Sequence, residues 1–429
     1  MKNMSTHRLA REFAVHSWQL AVAIALLLPA VSQAQQMKTR MADRYADHFD
    51  FPKMTTVYED MVVKGKADAR TLRRLAWGYA QMENYPQAEM AYARLVIQDQ
   101  PNAEDMWNYA NVLRSMGKYN DALTWYAKYR TVEPDDPRPG IYLDHGDLFM
   151  RLKRDSSRTT VRKLAINSPE ADLGLATMED LLIFSSARGE GVGGHSRYAW
   201  DDQPYLNLYS ALLKGEVVEA PLVMRKDVNS RLHDGTASYD SVAHRLYFTR
   251  NNWHYGRKQI AENGELKLGI YFSDIVAGEF NQKEWGALIP FDHNDPENNY
   301  GHPRVSRDGK KIFFVSDMPG GSGGTDIWFC DNLGNAWGVP QNMGPKVNTS
   351  GDEMHPFITA DSTFYFTSNG HAGLGGQDVF WCKLTKGGPG NVFNMGYPMN
   401  TRFNDHGLIV TKDDSTGFWR SVRLLPFDR

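Results

Sequence analysis

The stretch HPRVSRDGKKIFFVSDMPGGSGGTDIWFC, residues His302 to Cys330, recurs as HPFITADSTFYFTSNGHAGLGGQDVFWC, residues His355 to Cys382. With one residue omitted after Lys310, the copies align, pairing Phe314 with Phe366, Ser316 with Ser368, Gly323-Gly324 with Gly375-Gly376, Asp326 with Asp378 and Cys330 with Cys382. A period of about 52 residues, made of short aromatic and β-branched runs between turn residues, is typical of one β-propeller blade. Because only a neighbouring blade can cover the apolar face of each blade, the repeat predicts a closed ring. This fold favours a binding platform over a catalytic domain.

The same strand signal recurs through the C-terminal part of the chain. Its apolar cores are Leu182-Ile183-Phe184, Leu246-Tyr247-Phe248, Ile312-Phe313-Phe314, Phe364-Tyr365-Phe366 and, more weakly, Gly417-Phe418-Trp419. Turn residues precede them at Asn167-Ser168, Asn229-Ser230, Asp295-Pro296, Asn348-Thr349 and Asn400-Thr401. We count five blades, but the longer first two spacings, about 64 and 66 residues, leave six open. The last unit lacks an outer strand, which Val161 to Ile166 would supply, closing the ring without a free sheet edge.

Residues 35 to about 137 carry a different period, of 34 residues. The apolar positions Leu72, Leu75, Ala76, Tyr79, Ala88, Tyr92 and Leu95 recur as Met106, Tyr109, Ala110, Leu113, Ala122, Tyr126 and Tyr129. A weaker, earlier copy contains Ala42, Tyr45 and Tyr58, and Pro134 closes the last one. This is the tetratricopeptide pattern, and three copies suffice for a stable stack. We therefore predict an all-α solenoid over residues 35–155, with a capping helix over Ile141 to Lys153, followed by an all-β propeller over residues 156–429.

The first 34 residues have the features of an export signal. Lys2, Arg8 and Arg11 form a positive start, and Leu20 to Val31 form an apolar stretch of about 12 residues, too short to span a bilayer. Ser32-Gln33-Ala34 fits a cleavage site before Gln35. An uncleaved anchor is the alternative. No later stretch reaches 18 apolar residues, so we expect a soluble mature protein in the periplasm or another envelope compartment.

Composition narrows the possible partners and the redox chemistry. The 429 residues carry a net charge of −3, so no bulk positive charge favours nucleic acid. Cys330 and Cys382 are the only two cysteines and occupy equivalent repeat positions. Equivalent strands of adjacent blades usually lie farther apart than the roughly 7 Å Cα limit of a disulfide. This spacing favours two buried thiols, with a disulfide as the alternative for an exported chain.

Two glycine-rich segments match catalytic or cofactor motifs formally. Gly320-Gly321-Ser322-Gly323-Gly324 fits G-x-S-x-G, but it lies between predicted strands, and the second repeat has Leu374 in place of Ser322. Gly189, Gly191 and Gly194 fit G-x-G-x-x-G, but no helix follows to direct amides at a phosphate. We interpret both as hairpin loops and expect no catalytic residue and no cofactor.

Histidines and aspartates at repeat positions suggest structural roles. His302 and His355 occupy one repeat position, and Asp405-His406 is a near match in the last unit. Their repetition indicates a hydrogen bond to the neighbouring loop, with zinc as the lesser alternative, because no three or four convergent ligands are evident. Asp326 and Asp378 should accept hydrogen bonds from backbone amides in their turns rather than bind calcium, since no D-x-D-x-D-G loop accompanies them.

The solenoid offers the clearest candidate binding surface. The 34-residue period places one set of residues on its concave face: Arg70, Arg73, Trp77 and Gln81, then Glu104, Trp107, Asn111 and Arg114. Arginine supplies forked donors for carboxylates, and tryptophan is a favoured interface anchor. We call Arg70, Arg73, Trp77, Gln81, Trp107, Asn111 and Arg114 the groove residues and predict that they bind an extended peptide or acidic tail. A solvated helix face with structural tryptophans is the alternative.

The repeats resemble the PD40, or WD40-like, repeat of TolB-type propellers. The matching pieces are the His-Pro-x-x-Ser/Thr-x-Asp start, the Phe-x-x-Ser strand end and the Gly-Gly-x-Asp-Ile/Val-Trp/Phe loop and strand. Over residues 35 to 429, tetratricopeptide repeats followed by such a propeller are similar to periplasmic proteins of the Bacteroidota, whose PorE-type members belong to type IX secretion and gliding machinery. That family commonly continues into an OmpA-like peptidoglycan-binding domain. This chain ends at Arg429, so we expect only indirect contact with peptidoglycan, through a partner.

The sequence therefore predicts a periplasmic, non-enzymatic scaffold whose partners are envelope proteins, with no nucleic acid, no direct membrane span, no metal and no cofactor. The resemblance implies an envelope assembly such as type IX secretion or gliding. One rival is a propeller hydrolase or lyase acting on glycans, which would need convergent carboxylates at the centre of the ring. Another is a sensor that binds a glycan, a peptide or a small ligand at the centre.

Overall fold

The computed structural model describes residues 35–98, 101–154, 159–189, 196–215, 217–225, 228–254, 257–277, 283–411 and 417–421. The predicted export signal lies outside these residues. The chain divides into two compact units: the first ends at Asp105 and includes Ala199–Asp202, and the second contains Met106–Tyr198 and the residues from Gln203 onward. Within the described ranges, no helix is both long and apolar enough to cross a membrane.

The N-terminal region is helical. Its helices are α1 (residues 35–47), α2 (Phe51–Val63), α3 (Ala69–Gln81), α4 (Tyr85–Gln98), α5 (Ala103–Ser115), α6 (Tyr119–Val132), α7 (Gly140–Leu143) and α8 (Leu148–Leu152). Asp68 caps α3 by accepting the Thr71 N–H at 2.8 Å. α2 and α3 approach so closely that a Cβ on Gly78 would lie 2.0 Å from Cε of Met54. Close packing of these two helices therefore favours glycine at position 78.

The prediction of one capping helix over Ile141 to Lys153 is wrong, because the segment is not a continuous helix. The segment forms two short helices, α7 and α8, separated by residues 144–147. Gly146 lies in this break, and glycine disfavours a helix interior by about 1 kcal/mol relative to alanine. The second half of the helical region belongs to the same compact unit as the strands. There, Leu152 O accepts a hydrogen bond from Tyr397 N at 2.8 Å.

The rest of the second unit is built from short strands. In chain order they are β1 (Asp172–Met178), β2 (Leu181–Ser186), β3 (Asn207–Lys214), β4 (Val217–Val218), β5 (Leu222–Val223), β6 (Asp234–Asp240), β7 (Arg245–Asn251), β8 (Trp253–His254), β9 (Arg257–Lys258), β10 (Leu268–Ala277), β11 (Lys283–Trp285), β12 (Ile289–Pro290), β13 (Tyr300–Val305), β14 (Lys311–Ser316), β15 (Asp326–Asp331), β16 (Gln341–Asn342), β17 (Glu353–Ile358), β18 (Thr363–Ser368), β19 (Asp378–Thr385), β20 (Gly388–Pro389), β21 (Phe393–Asn394), β22 (Asp405–Val410) and β23 (Gly417–Ser421). Every predicted apolar core lies in a second strand, namely β2, β7, β14, β18 or β23.

These strands form antiparallel sheets in a β-propeller-like arrangement. Four sheets have four or five strands, and the sheet of β22 and β23 has two; β8 and β9 form a separate hairpin. The first strands of the five sheets contact one another in the cyclic order β1, β6, β13, β17 and β22, and β22 contacts β1 again. A buried apolar cluster lies between each pair of neighbouring sheets. The ring is therefore closed by side-chain packing, as the repeat predicts.

The predicted outer strand at Val161 to Ile166 is wrong. Residues 159–166 form no strand, and the last sheet remains two-stranded within the described part of the chain. Leu164 and Ile166 instead pack, partly buried, against the apolar cluster that contains Ile409 and Phe418. The segment thus contributes apolar contacts, without ladder hydrogen bonds, where the last sheet meets the first.

In the first four sheets, an asparagine ties the sheet to the loop that leads to the next one. Asn229, Asn348 and Asn400 each accept a backbone N–H and donate to the carbonyl of the same third-strand residue, which is Leu208, Ile327 or Val379. In the remaining unit Asn294 makes the same pair with Ile270, at 3.0 and 2.6 Å. The turn signal predicted there at Asp295 is thus displaced by one residue. These four asparagines are the interblade latches.

Candidate functional site

Two groove residues of the first unit are already paired within it. Arg70 donates to Asp43 at 2.7 Å and is exposed. Arg73 makes a bidentate pair with Asp105, from Nε at 2.6 Å and from Nη2 at 2.7 Å. Forked guanidinium donors match carboxylates in this way. A partner carboxylate would therefore have to compete with carboxylates of the chain itself.

Trp77 and Gln81 belong to an aromatic cluster of the first unit. Trp77 lies edge-to-face against Phe51, with ring centroids 5.0 Å apart. Trp200, far along the chain, packs edge-to-face on Phe51 at 4.8 Å and stacks on Phe49 at 5.7 Å. Its indole N–H donates to the main-chain carbonyl of Gln81 at 3.0 Å. Trp200 is not predictable from the sequence, because no helical period includes it.

Trp107 of the second unit is a packing residue. Its ring lies 5.1 Å from Tyr126 and 5.4 Å from Tyr129. The guanidinium of Arg138 covers it at 4.6 Å from the ring centroid. Truncating Trp107 would therefore remove packing between α5 and α6, so this position cannot serve as a neutral groove position.

Arg114 does not lie on an exposed groove surface, contrary to the prediction. The side chain is buried, with 4% of its surface exposed, so it does not lie on an open concave face. It donates to the Tyr142 hydroxyl at 2.5 Å, with the guanidinium 5.1 Å from the same ring. Asn111 accepts from the Tyr126 hydroxyl at 2.7 Å. A period identifies the side of a helix, but only the packing of α7 shows that this side is covered here.

The glycine-rich segment of the first repeat copy is a loop between β14 and β15, as expected. The Ser322 N–H donates to the Asp326 carboxylate, and the equivalent Leu374 N–H donates to Asp378 at 2.6 Å. Gly375 N–H adds a further bond to Asp378 at 3.0 Å. The predicted turn role of the two aspartates is confirmed. In the other glycine-rich motif, Gly191 and Gly194 lie outside the described residues.

The first strand of most sheets begins with an acidic residue that holds the preceding loop. Glu353 accepts the Thr349 N–H at 2.7 Å and hydroxyls from Thr349 and Ser368 at 2.7 and 2.6 Å. Asp405 accepts the Thr401 N–H at 2.6 Å. Burial raises the pKa of Glu353 and of Asp234, its counterpart in β6. The spacing Asn-Ser/Thr-x-x-x-Asp/Glu in the sequence could have identified these carboxylates as acceptors of hydrogen bonds from the preceding loop.

Three imidazoles stack at the centre of the ring. His302 and His355 lie with ring centroids 4.1 Å apart and 24° between their planes, and His406 follows at 4.8 Å and 28°. The backbone N–H of His355 donates to Nδ1 of His302 at 3.2 Å. The ring of His302 thus makes a hydrogen bond to the neighbouring unit, but to its first strand, β17, and not to a loop as predicted.

His406 does not occupy the repeat position of His302 and His355, contrary to the near match seen in the sequence. Each first strand has a bulge near its start, and His302 and His355 occupy it with φ of 50° and 51°. The equivalent residues of β1 and β22 are Gly174 and Gly407, with φ of 68° and 72°. A left-handed backbone favours glycine, so histidine at this position indicates a role for its ring. His406 lies one residue before Gly407 in β22, and its ring nevertheless stacks on that of His355.

These three rings are neutral at physiological pH. Burial lowers the pKa of His302 to about 4. Burial, followed by the neighbouring imidazoles and Arg420, lowers the pKa of His355 well below its usual value. Burial and Arg420 act in the same way on His406. Neutral imidazoles can stack closely because they do not repel one another.

The histidines adjoin a partly open cavity lined by residues of all five first strands, which we call the central cavity. It is lined by Gly174, Leu175, Thr236, Ala237, His302, Pro303, Arg304, His355, Pro356, Phe357, Gly407, Leu408 and Ile409. Its volume is about 30 Å³. One water molecule requires roughly 10–15 Å³ measured in this way, so about two fit. The cavity is too small for a sugar ring, and its lining residues include no carboxylate.

The two cysteines are free thiols in different apolar clusters. Cys330 packs with residues of the second and third sheets, and Cys382 with those of the third and fourth. Burial raises the pKa of Cys330 to about 12 and that of Cys382 to about 11, which keeps both protonated. The preference for buried thiols is confirmed. No group of three or more metal-binding side chains occurs among the residues whose positions the structure gives.

Comparisons with known proteins find no matching family model and no matching curated protein. Similar solved structures include TolB from Acinetobacter baumannii, which is 15% identical, with 58% of this chain and 54% of that one covered and a TM-score of 0.33. A putative TolB from Agrobacterium tumefaciens is 14% identical, with coverages of 57% and 72% and a TM-score of 0.33. Trypanosoma rangeli sialidase is 10% identical, with coverages of 63% and 55% and a TM-score of 0.32. This chain thus spans about half the length of the first of these structures, and similarity at this level does not bear on function.

Proposed function

We propose that this protein is a non-enzymatic scaffold of the cell envelope, composed of tetratricopeptide repeats and a five-bladed PD40-type propeller. The closed cycle of five first strands supports the blade number. The buried residues Ala76 and Ala110, and likewise Ala88 and Ala122, support the repeat assignment, because each pair is separated by the 34-residue period.

A row of exposed apolar side chains on the outer edge of the ring carries the proposal. Leu222 in β5, Ile289 in β12 and Phe393 in β21 are 72%, 38% and 49% exposed. They pair with Ser210, Phe272 and Trp381, each of which lies two residues after the third-strand partner of an interblade latch. At the fourth latch the equivalent residue, Phe329, pairs with the polar Gln341. We call Leu222, Ile289 and Phe393 the rim residues. Apolar groups repeated at one exposed position favour a protein-binding surface.

The polar groups of the ring support binding rather than catalysis. The carboxylates that begin the first strands accept hydrogen bonds from the loops before them, as at Glu353 and Asp405. The central cavity holds about two water molecules, far fewer than a glycan would displace. Convergent, available carboxylates are what a glycan hydrolase or lyase would require.

The proposal places the protein in the periplasm after cleavage following Ala34, with envelope proteins as partners. The sequence resemblance suggests that these partners belong to type IX secretion or gliding machinery. Arg70 and Trp77, the exposed and the half-buried groove residues of the first unit, provide a second candidate contact surface.

The test is capture of partners from envelope fractions by a triple variant, Leu222→Ser, Ile289→Ser and Phe393→Ser. We expect recovery of at least one envelope protein to fall about tenfold or more, the scale of an interface hot spot. The matched control is Val242→Ser with Leu333→Ser, since these side chains are 63% and 71% exposed but do not lie on the rim strands. Equal recovery with the rim variant and with its control would contradict a rim-based scaffold.

A further inference from the structure

Arg304, in β13, is a half-buried cation without an anionic partner among the described residues. Its guanidinium lies 4.0 Å from the ring centroid of Phe357, and its Nε is buried without a hydrogen-bond acceptor. Other arginines of the sheets pair with carboxylates, such as Arg250 with Asp234 and Arg188 with Asp172. Arg304 makes no such pair with any residue that the structure describes.

The charge of Arg304 is retained at neutral pH. Burial, followed by repulsion from Arg307, lowers its pKa to about 9, and no carboxylate acts in the opposite direction. Nε of Arg304 is buried without an acceptor, and a buried polar group without a partner is disfavoured in proteins. The centre of the ring therefore has a positive charge with no carboxylate beside it among the lining residues.

His302 adds a hydrogen-bond donor to the wall of the same cavity. Its Nδ1 accepts the His355 N–H, so the proton of the neutral ring is on Nε2. This N–H has no acceptor among the residues described here, and both His302 and Arg304 line the central cavity. The cavity thus presents a guanidinium and an imidazole N–H, with no carboxylate among its lining residues.

We propose that the central cavity binds a small monovalent anion of chloride size, held by the Arg304 guanidinium and the Nε2–H of His302. The volume of about 30 Å³ is sufficient for one such ion. The bound ion neutralises Arg304 at the centre of the ring. The interior of the propeller then serves as a structural ion site, and partners are left to the outer surfaces. This site is independent of the proposed scaffold role.

Bromide is the probe that tests the site. Crystals of the full chain grown or soaked in sodium bromide should show an anomalous bromine peak in the central cavity, between Arg304 and His302. In solution, the 35Cl NMR line of chloride should broaden with wild-type protein and narrow on addition of excess bromide. Absence of the anomalous peak from the central cavity would overturn the proposal.

Two variants separate this site from general surface binding. Because ligand binding to the folded state raises Tm, we also expect added halide to raise the Tm of the wild-type protein. Arg304→Met removes the charge, keeps an unbranched side chain against Phe357 and should abolish both the line broadening and this rise in Tm. Arg307→Gln removes the neighbouring exposed charge and should leave both effects unchanged. Equal broadening by wild type and by Arg304→Met would refute the role of Arg304. If Arg304→Met does not fold, the bromide peak in wild-type crystals decides the question.

Discussion

Acid should weaken the propeller through His302, and the size of the effect follows from its surroundings. Burial lowers the pKa of His302 from 6.5 to about 4. The unfolded chain then binds a proton that the folded chain does not, between about pH 6.5 and pH 4. Stability is therefore complete above pH 6.5 and falls as the pH drops through this window. The expected loss from His302 alone is about 2 kcal/mol at pH 5 and about 3 kcal/mol at pH 4.

The substitution His302→Asn isolates this contribution. Asparagine tolerates the left-handed backbone of this position, and its side-chain oxygen can accept the His355 N–H in place of Nδ1. Urea unfolding at pH 7 and pH 5 measures the change in unfolding free energy for each protein. We expect the variant to lose about 2 kcal/mol less than wild type between these pH values, even if it is less stable at pH 7.

His244 provides a matched control. It also has a left-handed backbone, with φ of 51°, but its side chain is exposed. Unfolding of the His244→Asn variant at the same two pH values measures the effect of asparagine at an exposed position with the same backbone conformation. If His302→Asn loses as much as wild type, the buried, neutral state assigned to His302 is incorrect.

Three further outcomes are expected. Asn348→Ala should lower the unfolding free energy by about 2–3 kcal/mol in urea titrations, because both backbone groups of Ile327 lose their buried partner; no measurable loss would argue against the interblade latch. Leu75→Ala should cost about 2–5 kcal/mol in thermal melts, since Leu75 is 5% exposed in the helical core; an unchanged Tm would contradict this placement. Iodoacetamide should alkylate Cys330 and Cys382 only in denaturant, and a non-reduced mass two units below the dithiol value would show a disulfide instead.

The repeat alone was sufficient to predict the strands and their grouping. The apolar cores at residues such as Phe314 and Phe366 became second strands because strand formation depends on local alternation and turn residues. The aspartates of the glycine-rich loops were likewise predictable, because their amide partners lie within four residues. In the helical region, the 34-residue period identified alanines that are buried, such as Ala76 and Ala110.

Other features depended on contacts that no period encodes. The burial of Arg114 results from Tyr142 on a short helix, and Trp200 joins an aromatic cluster far from it in sequence. The outer strand predicted at Val161 to Ile166 failed because its apolar residues pack without ladder hydrogen bonds.

The centre of the ring shows most clearly which features the sequence predicts and which depend on tertiary contacts. The sequence identified His302 and His355 as equivalent and placed His406 near them. It could not show that a bulge lets His406 stack from a different register, or that Arg304 lies beside them without a carboxylate. Turns and strands follow from neighbours in the chain. The charge and volume of a cavity, by contrast, depend on which side chains five separate strands bring together when the ring closes.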